Sequence, residues 1–171
     1  MPMNAKFEIR AGVPVDLPSI WAIEASNQNK TWTQAQFRDA LEPSANRLAL
    51  VALESLQKTA IGFIFAHFAA DEIEILNIAV HPSARRRGVA NLLCQELFAA
   101  GERRACRQIF LEVRQSNSGA RAFYENAGFK ISGVRKNYYR DNGEDALLMM
   151  RRLDNLSKGE SWTGLKEQRK G

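Results

Sequence analysis

The segment Arg85-Arg86-Arg87-Gly88 is the first in this sequence whose residue types and spacing suggest chemistry. It lies between the end of an apolar run, Ile78-Ala79-Val80, and the start of a helical pattern, Val89-Ala90-Asn91. Gly88 lets the backbone pass close to a ligand, Ala90 keeps the next turn small, and the first N–H groups of a helix lack partners within it. Together with the helix dipole and three guanidinium forks, this makes a seat for a phosphate-like anion; read blandly, it is a solvated turn before a helix. Glu112 is the second candidate, a carboxylate interrupting Ile109-Phe110-Leu111-Glu112-Val113. Such a group either points to water from an alternating strand or is kept inside because it is bonded or useful. Tyr124 shares a helix face with Ala120, Phe123 and Ala127, which reads as a core aromatic with a wet hydroxyl. Asn117 or Ser118 is placed to cap that helix. Tyr138 and Tyr139 precede the turn-forming Asp141-Asn142-Gly143, and either line a groove or pack across strands.

Composition narrows the choices. The 171 residues are enough for one domain, and 45% apolar with 25% charged residues are ordinary globular values. The apolar stretch AIGFIFAHFAA is far shorter than the roughly 20 residues a membrane-spanning helix needs. The N-terminus MPMNAKFEIR lacks the apolar core of a secretion signal, so a cytoplasmic, reducing location is expected. Cys94 and Cys106 have no Cys-x-x-Cys spacing, and only His67 and His81 add soft ligands; ordinary small thiols and no metal are expected. The formal charge of +5 favours a polyanionic partner or a phosphorylated cofactor, without choosing between them.

The elements that must position these residues follow from periodicity. An alternating strand at residues 7–10 precedes a helix with Asp16 as its cap, Pro18 in its first turn, and Leu17, Ile20 and Trp21 on one face. Thr33-Gln34-Ala35-Gln36 has the form of a capping box opening a second helix, with Phe37, Ala40 and Leu41 as its stripe. Strands are expected at 48–53, 61–68 and 73–80, the middle one apolar on both faces and hence interior. Val89, Leu92, Leu93, Leu97 and Ala100 recur at helical spacing, and Gly101 weakens that helix near its end. A strand at 109–113, a helix stopped by Gly128, and strands at 129–134 and 146–150 complete a β-α-α-β-β-β-α-β-α-β-β order. That is an α/β layer with helices on both faces of one sheet. The domain is expected to span residues 1–153, with 154–171 a mobile polar tail, the alternative being that Trp162 and Leu165 dock it on the body or on a partner.

The strand, arginine turn and helix together resemble the acetyl-CoA motif of the GNAT acetyltransferases, Gln/Arg-x-x-Gly-x-Gly/Ala, which Arg85-Arg86-Arg87-Gly88-Val89-Ala90 fills. Leu76-Asn77-Ile78-Ala79-Val80, Leu111-Glu112-Val113-Arg114-Gln115-Ser116-Asn117, Phe123-Tyr124-Glu125-Asn126-Ala127-Gly128-Phe129 and Arg135-Lys136-Asn137-Tyr138-Tyr139 resemble segments of the RimI-type branch, the ribosomal-protein-alanine N-acetyltransferases. The resemblance covers residues 7–152 and implies a mixed, mostly antiparallel twisted sheet of about seven strands. It implies that the backbone of Ile78, Ala79 and Val80 bonds the pantetheine arm of acetyl-CoA as another strand would. By the same resemblance Arg86, Arg87, Gly88, Val89, Ala90 and Asn91 hold the diphosphate, Arg85 to Arg87 approach the 3′-phosphate, and Asn117 adds a side-chain contact. Glu112 becomes the proton acceptor and Tyr124 the proton donor to the leaving thiolate, with Tyr138 and Tyr139 at the acceptor groove.

Acetyl transfer from a thioester needs a neutral amine, a stabilised oxyanion and a protonated thiolate. An N-terminal amine with pKa near 8 is neutral in roughly one molecule in ten at pH 7, whereas lysine near 10.4 costs about 3 kcal/mol more. A phenol near 10 protonating a thiolate near 8.5 is uphill by about 2 kcal/mol, so transfer is concerted or the phenol is made more acidic. The Val80 N–H is the expected oxyanion donor if its strand bulges. The expectation is a monomeric acetyl-CoA-dependent enzyme acting on a protein N-terminus, the N-terminal alanine of small-subunit ribosomal protein eighteen, needing no membrane or nucleic acid. The other readings are a GNAT enzyme for a small amine or protein lysine, and a basic ribosome- or RNA-binding module.

Overall fold

The computed structural model describes residues 7–27, 32–55 and 58–153, and the expected tail lies outside them. One seven-stranded sheet has the order β1-β2-β3-β4-β5-β7-β6. Its strands are β1 (Phe7–Ala11), β2 (Arg47–Glu54), β3 (Ala60–Ala69), β4 (Glu72–Val80), β5 (Gln108–Arg114), β6 (Lys130–Tyr139) and β7 (Glu144–Arg152). Neighbouring strands are antiparallel except β4 and β5, which run parallel and join the two halves of the sheet.

The apolar run of β3 is buried along nearly its whole length because both of its faces are covered. On one face α3 (Val89–Arg103) and α4 (Ser118–Asn126) pack Leu93, Leu97, Phe98 and Tyr124 against Ile64, Ile73, Ile109, Leu111 and Met149. On the other, α1 (Leu17–Ser26) and α2 (Gln34–Leu41) pack Ile20, Ile23 and Phe37 against Val51, Phe63 and Phe65. Thr33 and Gln36 form the expected capping box, with Thr33 N donating to Gln36 Oε1 at 2.8 Å and Gln36 N to Thr33 Oγ1 at 3.3 Å. That cap directs Phe37, fully buried, among the rings of Trp21, Trp32, Phe63 and Phe65. Trp32 in turn stacks on Phe65, centroids 5.5 Å apart. Gly101 is explained by packing: a Cβ there would lie 2.5 Å from Ile73 Cδ1, so the helix rests directly on the sheet.

Two expectations are corrected. The Asp16 side chain does not cap α1; it accepts from Val13 N at 2.9 Å and takes both Arg10 nitrogens at 2.7 Å, closing a short 3-10 turn ahead of the helix. The last two strands run further than 129–134 and 146–150, so that Tyr138 and Tyr139 end β6 rather than merely precede a turn.

Candidate active site

The site originates where the parallel pair comes apart. Registered pairs between β4 and β5 run from Glu72↔Gln108 to Ile75↔Leu111 and stop. Next on β4 comes Leu76, an extra residue, since Ala66 faces Ile75 and Phe65 faces Asn77. This bulge turns the strand away from β5, and two cavities open in the gap. The bulge expected at Val80 is therefore displaced; Val80 itself pairs regularly with Gly62.

The bulge also decides which backbone groups face the gap. His81 N donates to Ile61 O at 2.8 Å, and bonded pairs in an antiparallel ladder alternate, so Ala79 and Asn77 direct their N–H and C=O groups at β3. Ile78 and Val80 direct theirs toward the gap. The cavity alongside them, about 770 Å³, is lined by Ile78, Ala79, Val80, Arg85, Asn117 and Ala120 among others. Asn117 Oδ1 accepts from Ala120 N at 3.0 Å, which is the expected cap.

Pro82 and Arg85 of the turn after β4 line this cavity, whereas residues 86–91, which lead into α3, line neither of the two cavities. Gly88 is the N-cap of α3, with φ +86° and ψ 2°, and no side chain bonds the first N–H groups. A Cβ on Gly88 would meet nothing within 4 Å. The three arginines are not equivalent. Arg85 turns inward: its Nε donates to Val80 O at 3.3 Å and its guanidinium bonds Asn27 Oδ1. Arg86 is exposed on a left-handed backbone, φ +57°. Arg87 points away, paired with Glu54 at 2.8 Å and lying 5.0 Å over the Phe7 ring. Val89 is buried in the core, while Ala90 and Asn91 are half-buried in the first turn of α3.

The second cavity, about 400 Å³, shares Asn77, Ile78, Asn117 and Ala120 with the first. Its walls bring together Glu112, Tyr124, Tyr138 and Tyr139, with Trp32 and Gln36 contributed by α2. Strand alternation places Glu112 on the α1–α2 face, opposite the buried Leu111 and Val113. Its side chain is 20% exposed and pairs with Arg135 Nη1 at 3.0 Å, and the Tyr138 hydroxyl donates to it. That bond raises the Tyr138 phenol above its ordinary pKa, with burial and the carboxylate charge adding to it. Tyr124 stands on the opposite face, edge-on to Phe123 and Phe129. Burial pushes its phenol well above the usual range, the reverse of the acidification that an easy proton transfer would want.

Tyr138 and Tyr139 are consecutive in a strand and should point to opposite faces, yet both line the cavity. The cause is a second bulge: Arg135 pairs with Ala146 and Tyr139 with Glu144, leaving surplus residues on β6. Asp145 pins it through Asn137 N at 2.9 Å and Lys136 Nζ at 2.7 Å, and Asn137 is left-handed, φ +51°. Tyr139 lies under the Arg114 guanidinium, 3.8 Å from its centroid. Arg114 is held in turn by Asp141 at 2.9 Å and Glu144 at 3.4 Å. Glu144 also accepts from Ser116 N, and bonds from Ser116 lead the causes that hold its carboxyl at about 2.

Cys94 and Cys106 are both buried, and burial pushes the Cys94 thiol up to about 12, which makes it a poor acyl carrier. The residues of this cleft that sequence reasoning overlooked are Asn77, Trp32, Gln36 and Arg135. Only Asn77 left a local trace, as a polar residue breaking the run Ile75-Leu76-Asn77-Ile78.

The parting of β4 from β5 beside Glu112 fits the cleft that the resemblance implied, and the comparisons give the class of protein. A model of the acetyltransferase (GNAT) family matches residues 17–129, and the chain belongs to that family. It is an acetyl-CoA-dependent N-acetyltransferase. Among its relatives is the ribosomal protein bS18-alanine N-acetyltransferase of Salmonella typhimurium, 35% identical over 136 residues, covering 78% of this chain and 89% of that protein. Among solved structures, the ribosomal-protein-S18-alanine N-acetyltransferase of Escherichia coli superposes with a TM-score of 0.77 at 30% identity, over 86% of this chain and 94% of that one. Ard1 from Thermoplasma volcanium gives 0.78 at 28% identity, over 86% and 98%.

Proposed function

We propose that this protein transfers the acetyl group of acetyl-CoA directly to the N-terminal α-amine of a protein, as its relatives are named for doing to the alanine of ribosomal protein bS18. The observation that carries the reading is the parting of β4 from β5, because it turns the Ile78 N–H and C=O and the Val80 N–H toward a gap whose inner cavity holds Glu112. The pantetheine arm lies along β4 as an added strand. The diphosphate rests on the uncapped N–H groups of Val89, Ala90 and Asn91, which the left-handed Gly88 leaves open. Arg86 is exposed and able to approach phosphate, and Arg85, though bonded to Val80 O and Asn27, lines the first cavity; Arg87 contributes through its backbone, its side chain being engaged with Glu54. Asn117 caps α4 and meets the cofactor at the junction of the cavities.

In the reaction, the neutral amine nitrogen attacks the thioester carbonyl carbon while a backbone N–H on the gap side of β4 receives the developing oxyanion. Glu112 accepts the proton lost by the amine, through a water molecule. As the C–S bond breaks, the Tyr124 hydroxyl hydrogen-bonds the departing sulfur. Its raised pKa keeps it neutral with its proton in place and disfavours a stepwise transfer, so protonation of the thiolate is concerted with collapse. Tyr138 and Tyr139 line the acceptor side.

The test presents acetyl-CoA with peptides headed by Ala, Ser or Met, and with a blocked peptide containing lysine. Acetylation of the Ala-headed peptide is expected, and labelling of the blocked peptide alone refutes the reading. Glu112→Gln should slow turnover by about a hundredfold or more with acetyl-CoA affinity unchanged, and equal activity removes Glu112 as the base.

A further inference from the structure

Three side-chain nitrogens among the described residues are buried without a hydrogen-bond partner: Nδ2 of Asn77 and the Nε atoms of Arg114 and Arg121. Both arginines use their terminal nitrogens, Arg114 on Asp141 and Glu144 and Arg121 on Gln115 O. Asn77 is different, because its orphan is the carboxamide nitrogen itself, and it sits where the two cavities meet. A buried donor left unpaired is destabilising, so each such group calls for a partner or a role.

The placement of the side chain limits what that partner can be. Asn77 pairs across the ladder with Phe65, so its side chain stands on the α1–α2 face, the face that also carries Glu112 and Trp32. Tyr124, proposed above to meet the leaving sulfur, is on the opposite face. The thioester oxygen, lying in the gap, is served by the in-plane N–H groups of β4. The attacking amine cannot use a donor, since a bond from an N–H would occupy the lone pair that must attack. What remains on the α1–α2 face, close to the amine, is the carbonyl oxygen of the acceptor's first residue.

Resting on the function proposed above, we infer that Asn77 Nδ2 donates a hydrogen bond to the first carbonyl oxygen of the acceptor chain. It is thus a specificity-determining residue for amines that carry a carbonyl on the adjacent carbon. A lysine side chain or a simple alkylamine has no such oxygen and would leave the donor unpaired, a strong form of rejection. The bulge at Leu76 is what turns this side chain out beside the gap.

The experiment is steady-state kinetics with an Ala-headed peptide on the full chain, comparing wild type with Asn77→Leu and Asn77→Ala. Leucine keeps the branched outline with somewhat more bulk and alanine removes it, so agreement between them separates the hydrogen bond from packing. The peptide KM should rise about tenfold or more in both variants, the size of a hydrogen bond lost inside a site, with kcat and the acetyl-CoA KM within about threefold. A fall in kcat larger than the rise in peptide KM would give the N–H to the acyl oxygen and overturn the inference. A raised acetyl-CoA KM, divergence of the two variants, or unchanged kinetics would overturn it equally. A wild-type protein that leaves the peptide unacetylated refutes the acceptor reading itself, and the inference with it, before any variant is compared.

Discussion

Gly88→Ala isolates the contribution of one backbone turn to cofactor binding. At φ +86° an L residue is strained, and the left-handed region costs about 1–2 kcal/mol relative to the right-handed one. No steric term adds to this, because nothing lies within 4 Å of the new Cβ. The melting temperature should therefore fall by roughly 2–8 °C. Gly128 provides the control: it has the same φ of +86°, and its Cβ would touch only the Arg151 side chain, at 3.4 Å. Gly128→Ala should lose about as much stability, yet it lies at the far end of α4, away from the start of α3. Thermal melts and acetyl-CoA titrations on both variants separate strain from ligand contact. We expect acetyl-CoA affinity to fall tenfold or more only in Gly88→Ala, as one charge-assisted contact of about 1.5–3 kcal/mol is displaced. Affinity within twofold of wild type would remove the α3 N-terminus as the diphosphate seat. Undiminished stability in both variants would refute the strain argument.

The arginines should separate in the same assays. Arg87→Ala loses the Glu54 pair and the Phe7 contact and should cost about 1–2 kcal/mol of stability with acetyl-CoA affinity within threefold, whereas Arg85→Ala should weaken binding with little change in stability; the opposite pattern would exchange their roles. Glu144 titrates at about 2, below its ordinary 4.5, so it stabilises the fold at pH above 4.5 and loses that contribution as pH falls toward 2. In denaturation series at pH 7 and pH 2.5, Glu144→Gln should be less stable than wild type at the higher pH and close to it at the lower; a constant difference would refute the linkage.

Element order was legible because each element carries its own signal. The Thr33–Gln36 box, the double-sided apolarity of β3, Asn117 as a cap and Gly128 as a stop are local features of the sequence that the structure preserves. What was not legible depends on pairing between distant strands. The bulge at Leu76 is defined only against Phe65 and Ala66, and the one between Arg135 and Tyr139 of β6 only against β7, so neither the orientation of Asn77 nor the shared facing of Tyr138 and Tyr139 could be read from spacing. Asp16 misled for a related reason: its position suited a helix cap, but Arg10 on the neighbouring strand claimed it. The arginine turn showed where positive charge lies, and the tertiary partner Glu54 determined which guanidinium turned away.

The two halves of the sheet meet through only four registered residue pairs, from Glu72↔Gln108 to Ile75↔Leu111. Gly88 and Asn77 belong to the first half, and Glu112, Tyr124 and both groove tyrosines to the second. A molecule lying along the divide, as proposed, would act as a tie-bar between halves that the chain joins only by this ladder and by the shared core under α3.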